Sequence, residues 1–251
     1  MLAPTALEIL AHIGRYSLLI GRAFRSVGEW RTYWSAFFLQ AVRIGLDSLP
    51  IVILAAAFSG AVTTVQTAYQ LVSGLVPRSV IGSIVTGSVI LELAPVISAL
   101  VLAGRVGARI AAELGTMRVT EQIDALEVMG LNAVSFLVLP RVLAGLLMFP
   151  VLITAAAVVG IAGGLLAGIV SGELPPAEFL LGARSFFKPF DVVFMLIKAF
   201  TFGFLVTSIS CYQGYYASGG AEGVGRATTQ AAVVSCITVL LADYLLANLL
   251  L

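Results

Sequence analysis

The sequence predicts an all-α integral membrane protein. Five transmembrane helices follow an N-terminal interfacial helix, and a further helix lies on the cytoplasmic side between the second and third spans. Composition and charge placement lead to this. Of 251 residues, 60% are hydrophobic and 11% are charged, whereas a soluble domain has roughly 45–50% apolar and about 25% charged residues. The charges are also bunched, which leaves five long apolar runs. Such a chain excludes a soluble enzyme, a disordered segment and a disulfide scaffold. A net charge of +1 provides no field for nucleic acid. Cys211 and Cys236 sit in apolar surroundings without CxxC spacing and read as passive packing residues.

In order along the chain, residues 1–45 are too interrupted by charge for a signal peptide. Ile9, Ile13, Tyr16, Ile20 and Phe24 recur at helical spacing, with Glu8, His12, Arg15 and Arg22 on a neighbouring face. This is the pattern of an amphipathic helix lying in the membrane interface, with His12 on its polar side. Trp30, Tyr33 and Trp34 follow as an interfacial aromatic anchor. The apolar runs Ser48–Pro77, Ser79–Gly104, Val142–Gly172, Val192–Ala221 and Ala227–Leu251 each suffice for one crossing, which takes about 20 residues. Residues 46–104 thus hold spans one and two, 105–134 a cytoplasmic region, and 135–251 spans three to five, all in one domain. With the N-terminus in the cytoplasm, Arg15, Arg22, Arg25, Arg31, Arg43, Arg105, Arg109, Arg118, Arg141 and Arg226 lie inside. Only Arg78, Arg184 and Lys188 lie outside, so the positive-inside rule sets the N-terminus in the cytoplasm and the C-terminus on the far side.

No catalytic constellation is visible, and the single histidine excludes a His-rich metal site. Neither Lys188 nor Lys198 follows a glycine, so no phosphate-binding loop exists, and any ATP would be bound by another subunit. Three ionisable residues fall inside spans: Glu92, Lys198 and Asp243. Each costs at least ~2.5–3.5 kcal/mol there unless it is paired, hydrated or neutralised. They read either as a polar substrate path or as a structural ion pair. Counting ~1.5 Å per residue from the span ends puts Lys198 and Asp243 at one level in the outer half, with Glu92 deeper, near the midplane. Lys198 and Asp243 are therefore expected to pair. Pro95 should kink the second span. Gln66, Tyr69 and Gln70 on the first span are candidates to line an opening, and Gly160, Gly164 and Gly168 permit close helix packing. In the cytoplasmic region Glu121, Asp124 and Glu127 line one side of a helix, and Ile123, Leu126 and Met129 the other. Such a helix either rests on the membrane or inserts into a partner's groove.

Glu113–Gly130 reads ELGTMRVTEQIDALEVMG. Glu92-Leu93-Ala94-Pro95 and Ala103-Gly104-Arg105-Val106-Gly107-Ala108-Arg109 precede it, and Gly225-Arg226-Ala227-Thr228-Thr229 and Ala242-Asp243-Tyr244 follow. Together they resemble the MlaE/YrbE permease family over nearly the whole chain. The resemblance implies a homodimer of five-span permeases in the bacterial inner membrane, with a cytoplasmic ABC ATPase that binds ATP and Mg. It also implies a periplasmic ring of MCE-domain protein, and phospholipid as cargo moved between the inner and outer membranes. Glu113, Arg118, Glu121, Gln122, Asp124 and Glu127 match the family's coupling region, and Glu92, Lys198 and Asp243 match its intramembrane charges. Leu91 stands where family members often have an arginine, and Ala94 replaces a glycine, so a headgroup contact at Leu91 is not carried over. Alternatives are an ion-coupled secondary transporter, whose usual inverted repeat is not visible, and a scaffold that transports nothing.

Overall fold

A computed structural model describes residues 6–25, 30–71, 77–172, 174–185 and 187–251. Side chains before residue 10, and those of residues 30–32, lie outside this description, and with them the expected roles of Glu8, Ile9 and Trp30. The described helices are α1 (Ala6–Arg25), α2 (Trp30–Ile44), α3 (Leu49–Gln70), α4 (Ser79–Val119), α5 (Gln122–Val128), α6 (Ala133–Val170), α7 (Pro176–Ser185), α8 (Pro189–Tyr215) and α9 (Gly220–Leu250). Among the described residues, five stretches are long and apolar enough to cross a membrane: Tyr33–Gln70, α4, α6, α8 and α9. This matches the expected count.

The helices outrun the charge-free runs. α6 has 38 residues, or ~57 Å at 1.5 Å per residue, against a hydrocarbon core of about 30 Å. Charge does not end a helix; a cap or a breaker does. α4 therefore runs through Arg105, Arg109 and Arg118 until Glu121 takes φ 60°. α6 begins where the Asn132 side chain accepts from the Ser135 amide at 3.3 Å, and so takes in Arg141.

Contacts along the helices give their directions. Tyr33 meets Phe136 edge to face, Gly45 abuts Met148, Gly60 abuts Gly160, and Thr64 abuts Gly164 and Gly168. Both chains ascend together, so α2–α3 and α6 are parallel. Thr207 lies against Gly145 and Gly203 against Phe149, so α8 runs antiparallel to α6. These directions are those of five successive crossings. The glycines of α6 are used within the chain: Gly160 and Gly163 let the α3 backbone approach until any added Cβ would collide with a facing carbonyl.

Two features depart from expectation. His12 is exposed, as a polar-face residue should be, but it is also bonded: its Nδ1 lies 2.8 Å from the Tyr212 hydroxyl on α8. The face of α1 turned to the bundle carries His12, Tyr16, Leu19 and Ala23, while Ile13 and Phe24 are exposed. The expected apolar stripe was thus offset by part of a turn, because polar bonds dock this helix as well as apolar contact. The second feature is α7, a short helix in what reads as a plain outer loop. It starts at Pro176 and crosses α4 where Gly82 and Gly182 bring the two backbones together. Pro at its first position is the signal that marks it.

Substituting Gly60 by leucine should separate α3 from α6, because the side chain has only the Gly160 carbonyl to enter. Overpacking of this kind costs ~1–3 kcal/mol. Thermal unfolding in detergent should show a marked loss for Gly60→Leu and little change for Gly87→Leu, since a Cβ at Gly87 meets nothing within 4 Å.

Candidate functional site

Lys198 on α8 has no exposed surface, and its ammonium stands between three spans. Nζ lies 2.8 Å from Glu92 Oε1 on α4 and 2.6 Å from Asp243 Oδ1 on α9, the latter an ion pair outside hydrogen-bonding geometry. It also donates to the Leu91 carbonyl at 2.9 Å and lies 4.7 Å from the centre of the Phe194 ring. The carbonyl contact follows from the sequence. Pro95 has no N–H, so the Leu91 oxygen loses its ordinary i+4 donor, and α4 widens into a π-helix over Val89–Ile97. Insertions of this type cluster at functional sites. The lysine supplies a side-chain donor to the carbonyl from which the proline takes the i+4 bond.

Lys198 and Asp243 meet as the depth count predicts, but Glu92 does not lie deeper. Its ~20 Å was measured from the cytoplasmic side and theirs of ~10–12 Å from the outer side. In a core of about 30 Å these are the same level. The three side chains differ in exposure: 0% for Lys198, 17% for Asp243 and 46% for Glu92. One cation thus faces two carboxylates, and the Glu92 carboxylate opens outward from the bundle. Gln66, Tyr69 and Gln70 lie together on an exposed face near the end of α3, with Tyr69 81% exposed. Among the described residues no bond joins them to the lysine.

The residues expected to form one coupling surface separate into two groups. Glu113 belongs to a partly exposed ion cluster, at 3.1 Å from Arg109, 3.3 Å from Arg141 and 3.6 Å from Arg43. Arg109 also reaches Asp47 at 3.3 Å. Arg141 is buried and donates to the Leu137 carbonyl at 2.6 Å. This cluster joins α2, α4 and α6. The i,i+4 spacing of Arg109 and Glu113 was its one sequence signal, since Arg43 and Arg141 are remote in sequence.

The second group is on α5. Glu121 precedes the helix with φ 60° and is not part of it. Arg118 bonds Asp124 at 2.6 Å, and the Tyr215 hydroxyl donates to Glu127 at 3.0 Å. The Arg118 guanidinium stands 6.0 Å from the Tyr215 ring centre. Ile123 is fully buried and Leu126 partly so, but Met129 is 66% exposed beside exposed Val128 and Leu131. The expected apolar stripe is therefore two residues long, because the helix ends at Val128. Glu121 and Gln122 are exposed. On α1 the Tyr16 hydroxyl bonds Ser208 at 2.8 Å, and burial raises the Tyr16 phenol above its ordinary pKa, so it stays a donor. Among the described residues no group of His, Cys, Asp or Glu is placed to hold a metal.

Residues 37–249 match the family model described as permease MlaE. A Rickettsia bellii protein described as a probable ABC transporter permease is 41% identical over 97% of this chain and 93% of its own length. A Synechocystis protein of the same description is 37% identical over 92% of the chain and 88% of its own. The chloroplast protein trigalactosyldiacylglycerol 1 of Arabidopsis thaliana is 34% identical over 92% of the chain and 66% of its own. With a buried lysine held between two carboxylates across three of five spans, and the family's pattern running from the first span to the last, this chain belongs to the MlaE permease family.

Proposed function

We propose that the chain is the membrane subunit of an ABC transporter for phospholipid, working as a homodimer in the inner membrane. A separate cytoplasmic ATPase binds ATP and Mg, and an MCE-domain ring receives or delivers lipid on the periplasmic side. The observation that carries this reading is the Glu92 carboxylate, 46% exposed on one copy at the depth of the hydrocarbon. A charge left facing lipid tails costs at least ~2.5–3.5 kcal/mol. Something polar covers it, and a second copy with a lipid headgroup between the two fits that demand. One copy of five spans has little room to enclose a two-tailed lipid, and α9 leaves most of its apolar surface uncovered. The name of the Arabidopsis relative contains that of a galactolipid, which supports a lipid cargo. The arginine bias of the loops supports a cytoplasmic N-terminus and a periplasmic C-terminus.

The second part of the proposal concerns coupling. α5, with Glu121, Gln122 and the exposed Val128, Met129 and Leu131, presents an acidic and apolar surface for the ATPase. Arg118–Asp124 ties that surface to α4, and Tyr215–Glu127 ties it to α8, whose Lys198 lies roughly 25 Å further along the same helix. A push on α5 therefore reaches the charge cluster through one rigid element.

Three outcomes follow. In liposomes holding the permease with its ATPase, Glu92→Ala should lower ATP-dependent lipid transfer at least tenfold, about 1.4 kcal/mol; undiminished transfer contradicts the reading. Glu121→Lys, at an exposed residue with no ion pair among the described residues, should reduce ATPase pull-down severalfold, and equal recovery counts against docking there. Tyr215→Phe should keep ATPase binding but move severalfold less lipid per ATP hydrolysed, whereas Glu127→Gln, which keeps an acceptor, should retain most transfer.

A further inference from the structure

At the other end of α4 from Lys198, a narrow cleft runs between α2 and α4. It is lined by Gln40, Arg43, Ser48, Arg105, Arg109 and Glu113. Four guanidiniums (Arg43, Arg105, Arg109 and Arg141) stand around two carboxylates, Asp47 and Glu113. The balance is positive. Arg105 is exposed and makes no ion pair among the described residues. Arg43 reaches Glu113 only at 3.6 Å, so donors on both arginines remain free. Ser48 is fully buried, and its hydroxyl has no partner although it lines the cleft. Gln40, 8% exposed, stands beside it. The enclosed floor measures 10 Å³, room for about one water, so an anion would sit at the mouth among the guanidiniums and reach Ser48 through that water.

The flanks say which kind of anion. Leu39, Val42 and Leu46 are 51%, 46% and 60% exposed beside Arg43, Asp47 and Ser48. A basic mouth with exposed apolar side chains next to it fits an anion attached to hydrocarbon. Guanidinium forks match phosphate oxygens in pairs, and basic pockets between helices on the cytoplasmic side are suited to anionic headgroups. We propose that the cleft between α2 and α4 binds the phosphodiester of an anionic phospholipid of the adjoining leaflet through Arg43, Arg105 and Arg109, with its acyl chains along Leu39, Val42 and Leu46. This site is separate from the Lys198 cluster and does not depend on what the protein transports.

The test is native mass spectrometry of the full chain after delipidation, with added phosphatidylglycerol, phosphatidylcholine or inorganic phosphate. Wild type should retain phosphatidylglycerol and not phosphatidylcholine. Arg105→Gln and Arg43→Gln should each weaken that retention about tenfold, and Arg105→Lys, which keeps the charge without the fork, should recover part of it. Arg105→Gln should melt with wild type in phosphatidylcholine, since no ion pair of Arg105 is lost. Equal retention of both lipids, or retention indifferent to both glutamine substitutions, overturns the proposal. Displacement of phosphatidylglycerol by inorganic phosphate at equal concentration assigns the cleft to a soluble anion and overturns the lipid source.

Discussion

A buried ammonium governs the arrangement of this bundle. Lys198 has no exposed surface, and removing it would leave two carboxylates without their cation, where breaking a buried pair costs ~3–5 kcal/mol. The second, fourth and fifth spans must therefore meet at one depth, where Glu92, Lys198 and Asp243 do. Pro95 adds to the constraint: it removes the i+4 donor of the Leu91 carbonyl, and the same ammonium donates to that oxygen. Charge pairing and backbone satisfaction thus converge on a single nitrogen, and the π-helical stretch of α4 is what lets Glu92 and Leu91 face it together.

The other spans are held by different means. Small residues fix the first span on the third, where Gly60, Gly160 and Gly163 allow backbones to touch. At the far end of α4 the Glu113 cluster ties α2, α4 and α6. The second span is therefore clamped ionically at Glu92 and again at Glu113, and it carries one π-helical segment around the first clamp, Val89–Ile97, and another between the two, Ala103–Gly107. Helical stretches of this kind are rare and occur frequently at functional sites. The second of these segments lies between the end of α4 where α5 hangs from Arg118 and Tyr215 and the half-open carboxylate of Glu92.

Much of this was legible in the sequence. Five apolar runs became five candidate spans, because burial of backbone in lipid leaves few alternatives to a helix. The meeting of Lys198 and Asp243 followed from residue counting, since helical rise is fixed. Glu92 was misplaced because its depth was counted from the opposite face. Helix ends were misplaced because a charge marks the membrane boundary and not the end of a helix. The Glu113 cluster was hidden because Arg43 and Arg141 reach it from other helices, and no local pattern announces a long-range ion pair. His12 escaped for a related reason. A polar residue on an amphipathic helix reads as solvated until its partner, Tyr212 from a distant segment, is in place.

The central claim is that one lysine holds two carboxylates together between three spans, and thermal unfolding of four proteins tests it most directly. Lys198→Met should be the least stable, because it leaves Glu92 and Asp243 facing one another without a cation. Asp243→Asn should lose less, since Glu92 still pairs with the lysine. Lys198→Met combined with Glu92→Gln and Asp243→Asn should recover most of the wild-type stability, because no charge then remains to be neutralised. If Lys198→Met melts with wild type, or the triple substitution melts no higher than Lys198→Met alone, the lysine does not hold the spans together in this way.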